Sequence, residues 1–146
     1  MSITAGSTRL LMVVSAAAFA GAAYAIRAAM DGPVEQYSGA AFSGAIVYLI
    51  VIFIRPLISP LRAAGAAVAY CWFIEFAQLT PIPAALSQRA WLVRQLLGAQ
   101  FDLVDVAWYP VGVVPLVAVH WFLRAGTRSR PTPTPAGPSP LPRPRR

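Results

Sequence analysis

Apolar residues fill four long stretches of this chain, and charged residues fall almost entirely between them. Leu10 to Ile26 lies between Arg9 and Arg27, and Gln36 to Ile54 lies between Glu35 and Arg55. Ala63 to Gln88 carries one charge, Glu75, and Val106 to Leu123 follows Asp105 and stops at Arg124. A helix of roughly 17–25 residues crosses a hydrocarbon core. Each stretch fits, so the pattern predicts four spanning helices, helices being the default because backbone polar groups cannot face lipid unpaired. Tyr24, Tyr37, Trp91, Trp108, Tyr109 and Trp121 sit where interfacial aromatic belts are expected. Between the third and fourth stretches, Gln88 to Leu97 reads as a short interfacial helix stopped by Gly98. Its Leu92, Val93, Leu96 and Leu97 fall on one side at 100° steps. The expected fold is an all-α integral membrane protein. It has four transmembrane helices within residues 1–124, a short interfacial helix between the third and fourth, and a disordered Pro/Arg-rich tail over 125–146.

Composition agrees. Of the 146 residues 58% are hydrophobic and 12% are charged, against about a quarter charged in soluble domains, which argues against a globule with a watery surface. All 12 basic residues are arginine, against five acids, for a net charge of +7. They punctuate apolar runs and gather at the C-terminus instead of forming one basic surface, so no nucleic-acid partner is expected. Membrane lipid is the expected partner, and a homo-oligomer is left open. The one cysteine excludes a disulfide framework and a cysteine-based zinc site. No Gly-rich phosphate loop, paired-cysteine motif or nucleophile elbow is present, and neither a metal nor another cofactor is expected.

Arginine asymmetry sets the orientation. With four spans, Arg9, Arg55, Arg62, Arg124 and the tail arginines share one side, and Arg27, Arg89 and Arg94 the other. Both termini are then cytoplasmic in a bacterial inner membrane, and residues 27–38 and 87–104 face outward. Arg9, the apolar run and Ala23-Tyr24-Ala25 also mimic a cleavable secretory signal. Cleavage would leave three spans; the four-span reading is kept. The tail, with seven prolines between Pro131 and Arg146, cannot build a core. It reads as a solvated end that fixes topology or, alternatively, as a contact for anionic lipid headgroups or a proline-binding module.

Glu75 most needs explaining, because a carboxylate within a spanning helix is costly and usually faces a partner or a wet cavity. Pro81 and Pro83 end the third helix soon after Leu79, which puts Glu75 about four residues, roughly 6 Å, below that end. Cys71, Glu75 and Gln78 share a face, with Cys71 read as a small packing residue. Arg89 falls within the apolar face of the interfacial helix. It either snorkels to water or turns inward to a carboxylate. Asp102 reads as the N-cap of the fourth helix, with Asp105 in its first turn. Asp105, Tyr109 and Gly112 follow i, i+4, i+7, with Gly112 a notch for close helix approach. Pro110 and Pro115 free the carbonyls of Val106 and Val111, which then need partners. His120 reads as an interfacial hydrogen-bonding residue, not a metal ligand.

Glu75-Phe76-Ala77-Gln78, then Arg89, Leu97-Gly98, Phe101, Asp105, Tyr109 and Gly112 together resemble a small bacterial inner-membrane family of undetermined function. That family is itself similar to the VanZ-like proteins associated with glycopeptide (teicoplanin) resistance. The resemblance covers about residues 37 to 114, including Gly39 and Tyr48, and implies a membrane fold of four or five helices with Gly39 at a helix contact. The family pattern carries Gly-Asp where this chain has Gly39-Ala40, so any site that aspartate completes is reduced here.

Three functions are compatible with these residues. In the first, Glu75, Gln78, Arg89, Asp105 and Tyr109 form a polar cluster near the outer face that holds helices together and recognises a lipid or envelope headgroup. In the second, the chain is an intramembrane enzyme acting on a lipid-linked substrate, with Glu75 as acid or base. In the third, it is a small proton- or cation-coupled transporter. The first is favoured.

Overall fold

The computed structural model describes residues 5–81 and 101–128. Four helices run through them: α1 (Ala5–Ala29), α2 (Pro33–Ile54), α3 (Pro60–Ala77) and α4 (Leu103–Arg128), with no strand among the described residues. The local sequence explains the boundaries. Gly32 takes a φ of 76° ahead of α2, a backbone conformation that glycine adopts without a Cβ penalty. Pro33 and Pro60 then occupy the first turns of α2 and α3, where a missing N–H costs nothing. The α3 C-terminus closes where Gln78 and Thr80 turn back on the last carbonyls, Thr80 Oγ1 donating to Ala77 O at 2.7 Å. Pro81 stands just beyond.

Among the described residues three segments are long and apolar enough to cross a membrane: Gly6–Ala29, Pro33–Ile54 and Leu103–Gly126. The third expected span differs. α3 has 18 residues, about 27 Å at 1.5 Å per residue, and carries Arg62 near its start and Glu75 near its end. The expected interfacial helix at 88–97 and the tail beyond Arg128 lie outside the described residues, and α4 itself continues through Arg128. The outer surfaces are those of a membrane protein. Val14, Phe73 and Phe122 are among many large apolar side chains more than half exposed, a surface suited to lipid.

α2 is central, packing against α1, α3 and most extensively α4. Short connections make α1, α2 and α3 successively antiparallel, and α4 runs antiparallel to α3, its start beside Glu75 and its Val113 over Ala63 and Ala67. Arg9, early in α1, donates to Phe53 O near the end of α2 at 3.3 Å and lies over the Phe53 ring. At the other end Arg27 pairs with Glu35 at 3.5 Å. The α3 face toward its neighbours is Ala63, Ala67, Cys71 and Glu75, at every fourth position and all buried. Small side chains there let Tyr48 and Ile52 of α2 and Val113 of α4 close over Ala63 and Ala67. Antiparallel packing also sorts charge. All five acids, Asp31, Glu35, Glu75, Asp102 and Asp105, fall at one end of the bundle with Arg27. Arg9, Arg55, Arg62, Arg124 and Arg128 fall at the other.

The α2–α4 crossing is set by two glycines. A Cβ on Gly44 would stand 2.5 Å from the Tyr109 carbonyl oxygen, and one on Gly112 would collide with the Ala41 carbonyl. The two backbones therefore touch, as small residues allow in lipid. Gly39 is not at that contact: nothing lies within 4 Å of its Cβ position. Gly112→Val should accordingly lower the unfolding midpoint of the detergent-purified chain by the equivalent of about 3 kcal/mol. Gly39→Ala should leave it unchanged or raise it, by up to about 1 kcal/mol. Equal effects at the two positions would refute the backbone contact.

Candidate functional site

The last turn of α3 and the first two turns of α4 meet at Glu75. The residue is 1% exposed, and a buried carboxylate is tolerable only when its oxygens are hydrogen-bonded. Both are. Oε1 accepts the Asp102 backbone N–H at 2.6 Å, and Oε2 accepts the Tyr109 hydroxyl at 2.8 Å. The carboxylate thus sits at the N-terminus of α4, where the helix dipole favours negative charge, and grips the helix again almost two turns deeper. Asp102 extends the network. Its Oδ1 accepts the Val104 N–H at 2.8 Å, the capping bond expected of it, and its Oδ2 accepts the side-chain amide of Gln36 on α2. One chain of hydrogen bonds therefore joins α3, α4 and α2.

A second bond reinforces the α3–α4 contact. Pro110 has no N–H to give the carbonyl of Val106, four residues earlier. The Trp72 indole, on α3, donates to that carbonyl at 2.9 Å. The sequence flags the need for a partner there, but nothing in the spacing picks Trp72. Aromatic pairs bracket the region. Tyr37 and Trp108 stack at 4.9 Å with 6° between planes, and Phe76 and Phe101 stack at 6.0 Å. Tyr109 packs against Ala40 and the buried thiol of Cys71. Ala40 is therefore part of the wall of the site.

The remaining candidates divide. Gln78 caps α3 through its backbone N–H, which reaches Ile74 O and Glu75 O at 3.2 and 3.1 Å, and its side-chain oxygen is buried. Arg89 lies outside the described residues, so the described partners of Glu75 are an amide and a phenol. Asp105 does not bond to Glu75. Its Oδ1 is buried with no hydrogen-bond partner among the described residues, and the residue lines a groove of about 700 Å³ between α1, α2 and α4. Gly39 lines the same groove, which accounts for the open space beside it. Groove volumes of this order suit a small ligand or headgroup. Arg27, Glu35 and Gln36 add polar groups to its wall. No group of three or more metal-ligating side chains occurs among the described residues.

Farther along α4, the Tyr48 hydroxyl and His120 Nδ1 lie 2.8 Å apart, with the rings edge to face at 6.2 Å. Tyr48 is 1% exposed, so the pair answers two polar groups inside the bundle. His120 is the hydrogen-bonding residue its position suggests, and its partner is a side chain of α2.

A family model described as protein of unknown function (DUF2809) matches residues 29–113. The match takes in α2, α3 and the first part of α4, and with them Glu75, Asp102, Asp105, Tyr109 and Gly112. No curated protein and no solved structure matches the chain.

Removing one member of the Glu75 network leaves a buried acceptor unsatisfied, at a cost of about 1–3 kcal/mol. Tyr109→Phe should destabilise the detergent-purified chain by that amount, and Trp72→Phe, which takes the donor from the Val106 carbonyl outside this network, by less, about 1 kcal/mol. Glu75→Leu combined with Tyr109→Phe should cost less than the sum of the separate changes, because the two share one bond. Strict additivity in thermal or denaturant unfolding would show that the bond contributes nothing.

Proposed function

The chain belongs to the family described as protein of unknown function (DUF2809), and we propose that it is a multi-pass membrane protein whose acidic end recognises a lipid or cell-envelope headgroup. The observation that carries this reading is the groove of about 700 Å³ with Asp105 on its wall, whose buried Oδ1 has no partner among the described residues. A headgroup offering an amine or hydroxyl would satisfy that oxygen. Arg27, exposed and paired with Glu35 at only 3.5 Å, can exchange that weak surface pair for a phosphate on the same headgroup. Glu75 is then a positioning residue. It holds the start of α4 so that Asp105 and Tyr109 face the groove.

Arginine asymmetry supports a cytoplasmic basic end, with α3 as a crossing helix, both termini inside and the groove opening toward the outer leaflet. The resemblance of residues Glu75 through Gly112 to a bacterial inner-membrane family, itself similar to VanZ-like proteins, favours a bacterial envelope setting. Arg89 and the Pro/Arg-rich tail, which the sequence alone makes candidates for contact with headgroups, lie outside the described residues. The readings of Glu75 as an acid or base and of the acids as a cation path have less support. Both Glu75 oxygens are engaged and shielded from solvent, and the acids gather at one end of the bundle, whereas transporter sites lie near the midplane.

Mass spectrometry of lipids that co-purify with the full chain tests the reading. Asp105→Asn and Arg27→Gln should each reduce one retained headgroup species about tenfold, the worth of a charge-assisted hydrogen bond, while leaving the unfolding midpoint in place. An identical lipid profile for the wild type and both variants would overturn headgroup recognition. A lipid product whose formation stops with Glu75→Gln would instead establish the enzyme reading.

A further inference from the structure

The opposite end of the bundle holds a separate cavity of about 660 Å³, where α2 turns into α3 beside the last turns of α4. Arg55, Arg62 and Arg124 line it together with Ile54, Leu57 and Ser59. The acidic side chains Asp31, Glu35, Glu75, Asp102 and Asp105 all belong to the other end, so no acidic side chain among the described residues is placed to balance Arg55 and Arg62. Like charges gathered around one cavity raise the local positive potential and attract an anion. α3 adds to that potential. It starts at Pro60, behind Ser59, whose side chain makes no capping bond, so the positive end of the helix opens beside the same cavity.

The apolar part of the lining selects among anions. Leu57 is 90% exposed and Ile54 63% exposed, both on the wall that carries the arginines. A soluble phosphate gains nothing from these side chains, whereas a molecule with a phosphate head and a hydrocarbon body uses both. The planar guanidinium fork matches phosphate oxygens in pairs, and basic pockets between membrane helices on the cytoplasmic side are suited to anionic lipid headgroups.

We propose that this cavity is a binding site for an anionic phospholipid, with Arg55 and Arg62 on the headgroup phosphate, Arg124 adding positive charge to the cavity wall, and Ile54 and Leu57 against the adjoining hydrocarbon. The site is distinct from the groove at the acidic end and is formed by folded helices, not by the tail. Arg55 and Arg62 are exposed, so both can be changed without opening the core.

Native mass spectrometry of the full chain, titrated separately with phosphatidylglycerol, phosphatidylcholine and inorganic phosphate, reads the first binding step. Phosphatidylglycerol should occupy that step in preference to the other two. Arg55→Gln and Arg62→Gln should each weaken it roughly fivefold, as expected for one arginine at a membrane surface. Arg143→Gln combined with Arg145→Gln removes two charges from the tail, twice that of either single variant, and should leave the step unchanged. If the glutamine variants fail to fold, Arg55→Lys and Arg62→Lys keep the charge but lose the fork, and should still weaken binding. Equal weakening by the tail variant, no preference for phosphatidylglycerol over phosphatidylcholine, or competition by inorganic phosphate at lipid concentrations would each overturn the proposal.

Discussion

A carboxylate enclosed between two helices constrains everything around it. Glu75 can stay buried only because an amide and a phenol reach its two oxygens, and both donors come from α4. That requirement fixes the height of α4 against α3, since the amide belongs to the residue that starts the helix and the phenol lies nearly two turns further in. Asp102 then carries the constraint to α2 through Gln36. Three helices are thus registered together, with the buried Glu75 the group most costly to leave alone in an apolar interior.

The irregularities of α4 fit the same scheme. Pro110 breaks the helix's own bonding at Val106, and the indole of Trp72 takes the carbonyl so released. The defect becomes a tie to the neighbouring helix. Gly112, just beyond, removes the side chain that would hold α4 away from Ala41, and Gly44 makes the reciprocal allowance for Tyr109. A helix interrupted by proline and glycine is thus held by its neighbours more than by itself, as is general for such residues in membrane helices.

Much of this was legible one helix at a time. The apolar runs located α1, α2 and α4. Glu75 stood out as an anomaly, Asp102 read as a cap, and Pro110 exposed a carbonyl that needed a donor. Periodicity gives the face a residue occupies, but not which faces meet. Hence neither the amide of Asp102 as a ligand for Glu75, nor Trp72 as the donor to Val106, nor Tyr48 as the partner of His120 could be read from spacing. Gly39 and Gly44 look alike in sequence. Only the path of α4 shows that one lines an open groove and the other meets a backbone. α3 is shorter than its apolar run because Gln78 and Thr80 turn the chain at Ala77, ahead of the prolines that marked its expected end.

The helices around the groove are not equally anchored. α2, α3 and α4 are bolted together by buried polar bonds and touching backbones, whereas α1 rests against α2 as its main neighbour. α1 also lies almost wholly ahead of the segment shared with the family, which begins at residue 29. The wall bearing Ala20, Ala23 and Tyr24 can therefore diverge in sequence without loosening a single bond to Glu75. Rigidity is thus concentrated in the helices that the family segment spans, and variation is left to the helix ahead of it.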